Sequence, residues 1–96
     1  MLEVVKRPQA ESDLVDLWLY GYGKWGAEQV DTYAYTLDRA IQKLPDNPKL
    51  GISIDEIRPG YRLLHVRSHL IIYRATNSII DIVRVLSDAM DIPRHI

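Results

Sequence analysis

The sequence predicts an α+β domain of order β-α-α-β-β-β: a mainly antiparallel four-stranded sheet, a helical hairpin packed on one face, and a short C-terminal tail. Three observations carry that expectation. Residues 10–21 and 27–44 repeat apolar side chains at helical spacing on either side of Gly26. Three β-prone runs, at 61–67, 69–74 and 79–86, then follow through links short enough to make hairpins. Finally, 96 residues suffice for one small core, so residues 1–96 are read as a single domain.

Taken in order, Leu2 to Lys6 alternates weakly and suits a short strand. Pro8 sits where a first-turn proline is tolerated, because its missing N–H would have had no partner there. Ala10, Leu14, Leu17, Trp18 and Gly21 form the buried stripe of the first helix, which Gly21 and Gly23 weaken toward its end. A second apolar edge, Val15, Leu19 and Tyr22, is either covered by a neighbouring element or available to a partner. The next helix places Ala27, Val30, Tyr33, Ala34, Leu37, Ala40, Ile41 and Leu44 on one face, and Pro45, Asn47 and Pro48 stop it. Residues 45–60 read as a loop by their proline and glycine content. The strands turn at Arg67-Ser68 and at Thr76-Asn77-Ser78. The tail keeps Met90, Ile92 and Ile96, which suggests that it docks on the hairpin or the sheet.

Composition narrows the function classes. At 47% hydrophobic and 26% charged, the chain reads as a soluble globule, and the absence of cysteine removes disulfides and thiolate metal sites. The first residues are too short and too charged a run for a signal peptide, and no apolar run spans a bilayer, so a cytoplasmic protein without membrane contact is expected. The net charge of −1 hides a split. Residues 1–48 carry eight acids against five bases, and residues 49–96 carry seven bases, six of them arginine, against five acids. Arginine suits paired recognition of carboxylates or phosphates, but a pI near 6.3 argues against a dedicated nucleic-acid binder.

No glycine loop for phosphates and no nucleophile elbow is present, and Ser68 and Ser87 lack a local base. His65 and His69 fall across a turn rather than on one helix face, so no metal site is expected and no cofactor is implied. Arg62, His65, Arg67, His69, Tyr73, Arg74 and Arg84 are the groups that metal-free RNA cleavage would use. Strand alternation divides them between two sheet faces, so His69 and Tyr73 are read as structural and no catalytic residue is assigned.

A series of short motifs runs nearly end to end: "A..DL" at Ala10 to Leu14, Trp25-Gly26, Leu44 with Pro48, and "RPGYR" at Arg58 to Arg62. It continues through "H.I.Y" at His69, Ile71 and Tyr73 and "RVL...MD..RH" from Arg84 to His95. The resemblance these carry together is to the ParE-type toxins of bacterial type II toxin–antitoxin modules, within the RelE/ParE superfamily. It implies a toxin that arrests growth, is held inactive in a hetero-oligomer with a ParD-like antitoxin, and inhibits DNA gyrase by binding rather than by catalysis. The alternative is a ribosome-dependent mRNA endonuclease of the RelE type. Many family members have histidine after "RVL" where this chain has Ser87, and no lysine follows Lys49, which disfavours RNA cleavage. The same serine also bears on whether gyrase is the target.

Candidate residues follow from this reading. An antitoxin segment would meet Val15, Leu19 and Tyr22 through apolar contact, and Arg58, Arg62, Arg67 and Arg74 through its carboxylates. Target contact would involve Arg84, Ser87, Met90, Arg94 and His95. Removing residues 87–96 is expected to abolish toxicity while antitoxin binding survives.

Overall fold

A computed structural model describes residues 2–96. Its elements are β1 (Glu3–Lys6), α1 (Pro8–Trp25), α2 (Ala27–Gln42), β2 (Ile52–Ser53), β3 (Tyr61–Val66), β4 (His69–Ala75), β5 (Ile79–Ser87) and a 3-10 turn (Ile92–Arg94). The expected α+β architecture is present, with the two helices following the first strand. The sheet differs in detail: it has five strands rather than four, in the order β1-β5-β4-β3-β2.

The added strand lies inside the segment expected to be a loop. Ile52 and Ser53 pair antiparallel with Leu63 and Arg62. Proline and glycine hide this strand in the sequence, and tertiary bonds hold it. Tyr73 Oη donates to Pro48 O and accepts from Gly51 N–H, both at 2.8 Å. A Cβ on Gly51 would lie 2.7 Å from Leu63 O, so glycine permits the backbone to come this close. Strand β1 is parallel to β5, through Glu3–Ile79 to Lys6–Ile82, so the sheet is mixed.

Helix α1 runs through Gly21 and Gly23 to Trp25 and stops at Gly26, whose φ of +87° favours glycine. Gly21 is buried because α2 passes close by: a Cβ there would meet Val30 Cγ2 at 2.7 Å. Helix α2 ends two residues before the expected boundary, yet Leu44 in the following turn is still fully buried.

The sheet separates two apolar layers. The hairpin face holds Ala10, Leu37, Ile41, Leu44, Ile71, Tyr73, Ile80, Ile82 and Val85. The other face holds Ile54, Tyr61, Leu70, Ile72, Val83 and Leu86, with Ile92 and Ile96 of the tail against them. The tail thus docks on the sheet face away from the hairpin through its isoleucines, while Met90 is left exposed. A bulge in β5, where Ile72 faces Arg84 and Tyr73 faces Ile82, inserts Val83 and re-aims the strand's last residues.

Candidate functional site

Among the described residues, no other element covers the second apolar edge of α1. Val15, Leu19 and Tyr22 are 57%, 60% and 52% exposed. Helical spacing sets them in one line along the crest of α1. The line is firm on its α2 side. Trp18 Nε1 donates to Asp31 Oδ1 at 2.9 Å, and its ring stacks on Tyr22 with centroids 5.1 Å apart. The whole hairpin is acidic: residues 8–42 hold six acids (Glu11, Asp13, Asp16, Glu28, Asp31, Asp38) against Lys24 and Arg39.

The arginines do not form one surface. Arg74 lies directly across from Tyr61 in the β3–β4 register, and Asp81 lies across from Arg74 in β5. Arg58 lies over the Tyr61 ring, 5.6 Å from its centroid. Arg7 completes this group by a two-bonded contact to Asp81, at 3.1 and 2.8 Å, while Arg74 stands 3.7 Å from the same carboxylate. The bond to Asp81 holds the Arg7 guanidinium above its usual pKa. One nearly buried carboxylate therefore sits among Arg7 and Arg74, with Arg58 beyond, and an approaching anion would meet excess positive charge. Arg62 faces elsewhere and donates to Gly51 O at 2.6 Å. Arg67 occupies the β3–β4 turn at the opposite end of β3, with φ of 53°, a conformation rare outside glycine.

That turn is tied to α2. Tyr33 Oη accepts from Ser68 N–H at 3.1 Å and meets His69 Nδ1 at 2.7 Å. With the phenol donating to Nδ1, the imidazole proton lies on Nε2. Burial lowers the His69 pKa, which keeps the ring neutral. Trp25, Tyr33, Arg67 and His69 line an open cleft of about 650 Å³ between α2 and this turn. Tyr73, by contrast, is fully buried, and burial raises its pKa. Its hydroxyl is committed to the 48–51 connector.

Arg84 is also committed within the chain. Its Nε and Nη2 contact the two oxygens of Asp13 at 2.8 Å, and Nη1 donates to His95 O at 2.9 Å. Asp13 Oδ2 also accepts from Val85 N–H at 2.9 Å, beyond the end of β1, whose pairing with β5 stops at Lys6–Ile82. A helix carboxylate thus replaces the missing sheet bond, and the arginine offsets its charge. Ser87 Oγ accepts from Ala89 N–H at 3.2 Å and shapes the exit from β5. Of the five residues assigned to target contact, Met90 and Arg94 are exposed, Ser87 and His95 are half-buried, and Arg84 joins α1 to the tail. Among the described residues no cluster of histidines and acids has metal-site geometry, and no helix is long and apolar enough to cross a membrane.

The sequence profile described as "ParE toxin of type II toxin-antitoxin system, parDE" matches residues 4–92. The chain belongs to the ParE toxin family. Toxin ParE1 of Mycobacterium tuberculosis (strain H37Rv) is 42% identical over 90 residues, which are 93% of this chain and 92% of that protein. Toxin ParE1 of Caulobacter vibrioides is 34% identical over 88 residues, covering 92% and 91% of the two chains. Among solved structures, a chain of the chromosomal ParDE system from P. aeruginosa superposes with a TM-score of 0.80 at 18% identity, covering 91% and 96% of the two chains. YafQ from E. coli superposes with 0.59 at 17% identity, covering 93% and 96%. At such identities these two likenesses speak to fold alone.

Four residues that organise this ParE-family chain escape a sequence reading: Arg7, Asp13, Tyr33 and Asp81. Each bonds a residue at least 35 positions away. The signal available is Asp81 itself, an acid between Ile80 and Ile82 in a β-prone run, which calls for a cation beside it.

Proposed function

We propose that this ParE-family toxin is neutralised by a ParD-like antitoxin and inhibits DNA gyrase by binding, without catalysing a reaction. The observation that carries the binding reading is where the polar groups are used. Tyr73 holds the 48–51 connector and Arg84 holds Asp13 and the tail, while the apolar line on α1 is left more than half exposed. Polar groups engaged in the fold favour recognition over acid–base chemistry. The hetero-oligomer is supported by the name of the structural neighbour, a ParDE system. The choice of gyrase rests on family membership and on Ser87, which stands where many family members have histidine.

A second reading, mRNA cleavage at the ribosome, draws on one feature. The Tyr33–His69 pair and Arg67 share an open cleft, so an acid–base group and a phosphate-binding cation lie side by side. The two readings separate in the first minutes after induction in a bacterial host without antitoxin. Pulse-labelling that shows DNA synthesis stopping first, with translation intact, supports gyrase. Translation stopping first, with cleaved mRNA, overturns the proposal and makes His69 the first residue to mutate.

A further inference from the structure

The charge around the apolar line on α1 specifies the segment that covers it. We infer that this face takes an amphipathic helix whose apolar side is bordered by Lys or Arg, and not the acidic segment that suits the arginine cluster. The inference deepens the antitoxin reading and rests on it only for who the partner is.

Val15, Leu19 and Tyr22 lie on one line, and acids stand on each of its borders. Glu11 precedes Val15 by one turn, Asp16 lies on the flank toward β5, and Asp31 reaches the other flank through Trp18. Neither hairpin base offsets them. Lys24 projects half a helical turn away from Val15 and lies over the Tyr20 and Trp25 rings, 5.5 and 5.7 Å from their centroids. Arg39 lies over Tyr35. A second copy of the chain is disfavoured, because a symmetric α1–α1 contact would bring the same acids together. An anionic lipid surface or an acidic peptide would meet like charge for the same reason.

Shape agrees with a helix. The Trp18–Tyr22 stack is formed within the chain itself, and a Cβ on Gly23 would meet open space, so a backbone can approach along the crest. An apolar stripe with basic borders is the helix-in-groove mode read in charge as well as spacing. The toxin would then require two kinds of partner segment, basic on α1 and acidic at Arg7, Arg58 and Arg74.

Two synthetic helical peptides test this. They share one leucine stripe and differ only in having Lys or Glu along its borders. With the full chain, calorimetry is expected to show the Lys peptide binding about tenfold or more tighter, with the gap closing at high salt. Amide shifts should centre on Leu19, Tyr22 and the Trp18 indole. The surface variant Glu11→Gln with Asp16→Asn should narrow the gap several-fold while its melting curve is unchanged. Equal affinities, a tighter Glu peptide, or shifts centred elsewhere would overturn the inference. If a ParD-like antitoxin fails to bind while the Lys peptide behaves as stated, the antitoxin reading falls and the chemistry of this face stands.

Discussion

Arg84 and His69 show what single side chains do here. The Asp13–Arg84 pair is mostly withdrawn from solvent, with side chains 13% and 17% exposed, and joins three chain segments. Asp13→Ala strips the guanidinium of its carboxylate and leaves Val85 N–H without an acceptor. The expected loss in urea unfolding is about 2–4 kcal/mol, and a double-mutant cycle with Arg84→Ala should give strongly non-additive losses. For His69 the sign follows from burial. Its folded pKa lies below the ordinary value near 6.5, so the folded state resists a proton that the unfolded chain accepts. The stability due to neutral His69 is complete above about pH 6.5 and is lost as pH falls through the depressed folded value. His69→Asn should therefore lose less stability than the parent between neutral and mildly acidic pH. An identical pH profile in both proteins would count against this account.

At the scale of elements, glycines set how closely parts approach. The α1–α2 hairpin closes on Gly21, where an added methyl would press into Val30 Cγ2 at 2.7 Å. Gly21→Ala gains helix propensity but has to open the hairpin, and the expected net loss is about 1–3 kcal/mol. Adding Val30→Ala makes the room, so the double variant should be more stable than the two separate losses predict, by thermal or urea unfolding. The tail is an element in the same sense. Ile92 and Ile96 cover a sheet face that the helices leave open, and Arg84 holds the tail's last turn by His95 O. Docking and contact with a target are compatible, because Arg94 and Met90 remain outward.

For the whole molecule, charge is the organising quantity. The acidic hairpin and the Arg7–Arg58–Arg74 group present surfaces of opposite sign in a chain with a net charge of only −1. Scanning Arg58, Arg62, Arg67 and Arg74 to alanine against a ParD-like antitoxin should show one or two losses of about 2–5 kcal/mol by calorimetry. The others should lose less than about 1 kcal/mol, as rim charges do. Arg58 and Arg74, which share the Tyr61 edge, are the expected large ones. Uniformly small losses would remove the arginines from the antitoxin surface.

Much was determined by the sequence alone. Apolar periodicity specifies both helices, and closely spaced β-runs bounded by turn residues specify β3, β4 and β5 as a meander, because these are local properties of the chain. The exposed line of Val15, Leu19 and Tyr22 was legible as a second stripe, although only packing could decide that no described residue covers it. The tertiary structure decided the rest. Strand β2 exists because Tyr73 and Gly51 let a proline-rich connector reach the sheet edge, and β1 is parallel to β5 because the hairpin delivers the chain to the opposite edge, from which the antiparallel meander comes back to β1. Arg84 became a clamp, and Arg7 joined the arginine group, through carboxylates more than 70 residues away. Bonds over such separations leave no periodic trace, since the energy of a buried ion pair depends on where the fold puts its two halves and not on their spacing along the chain.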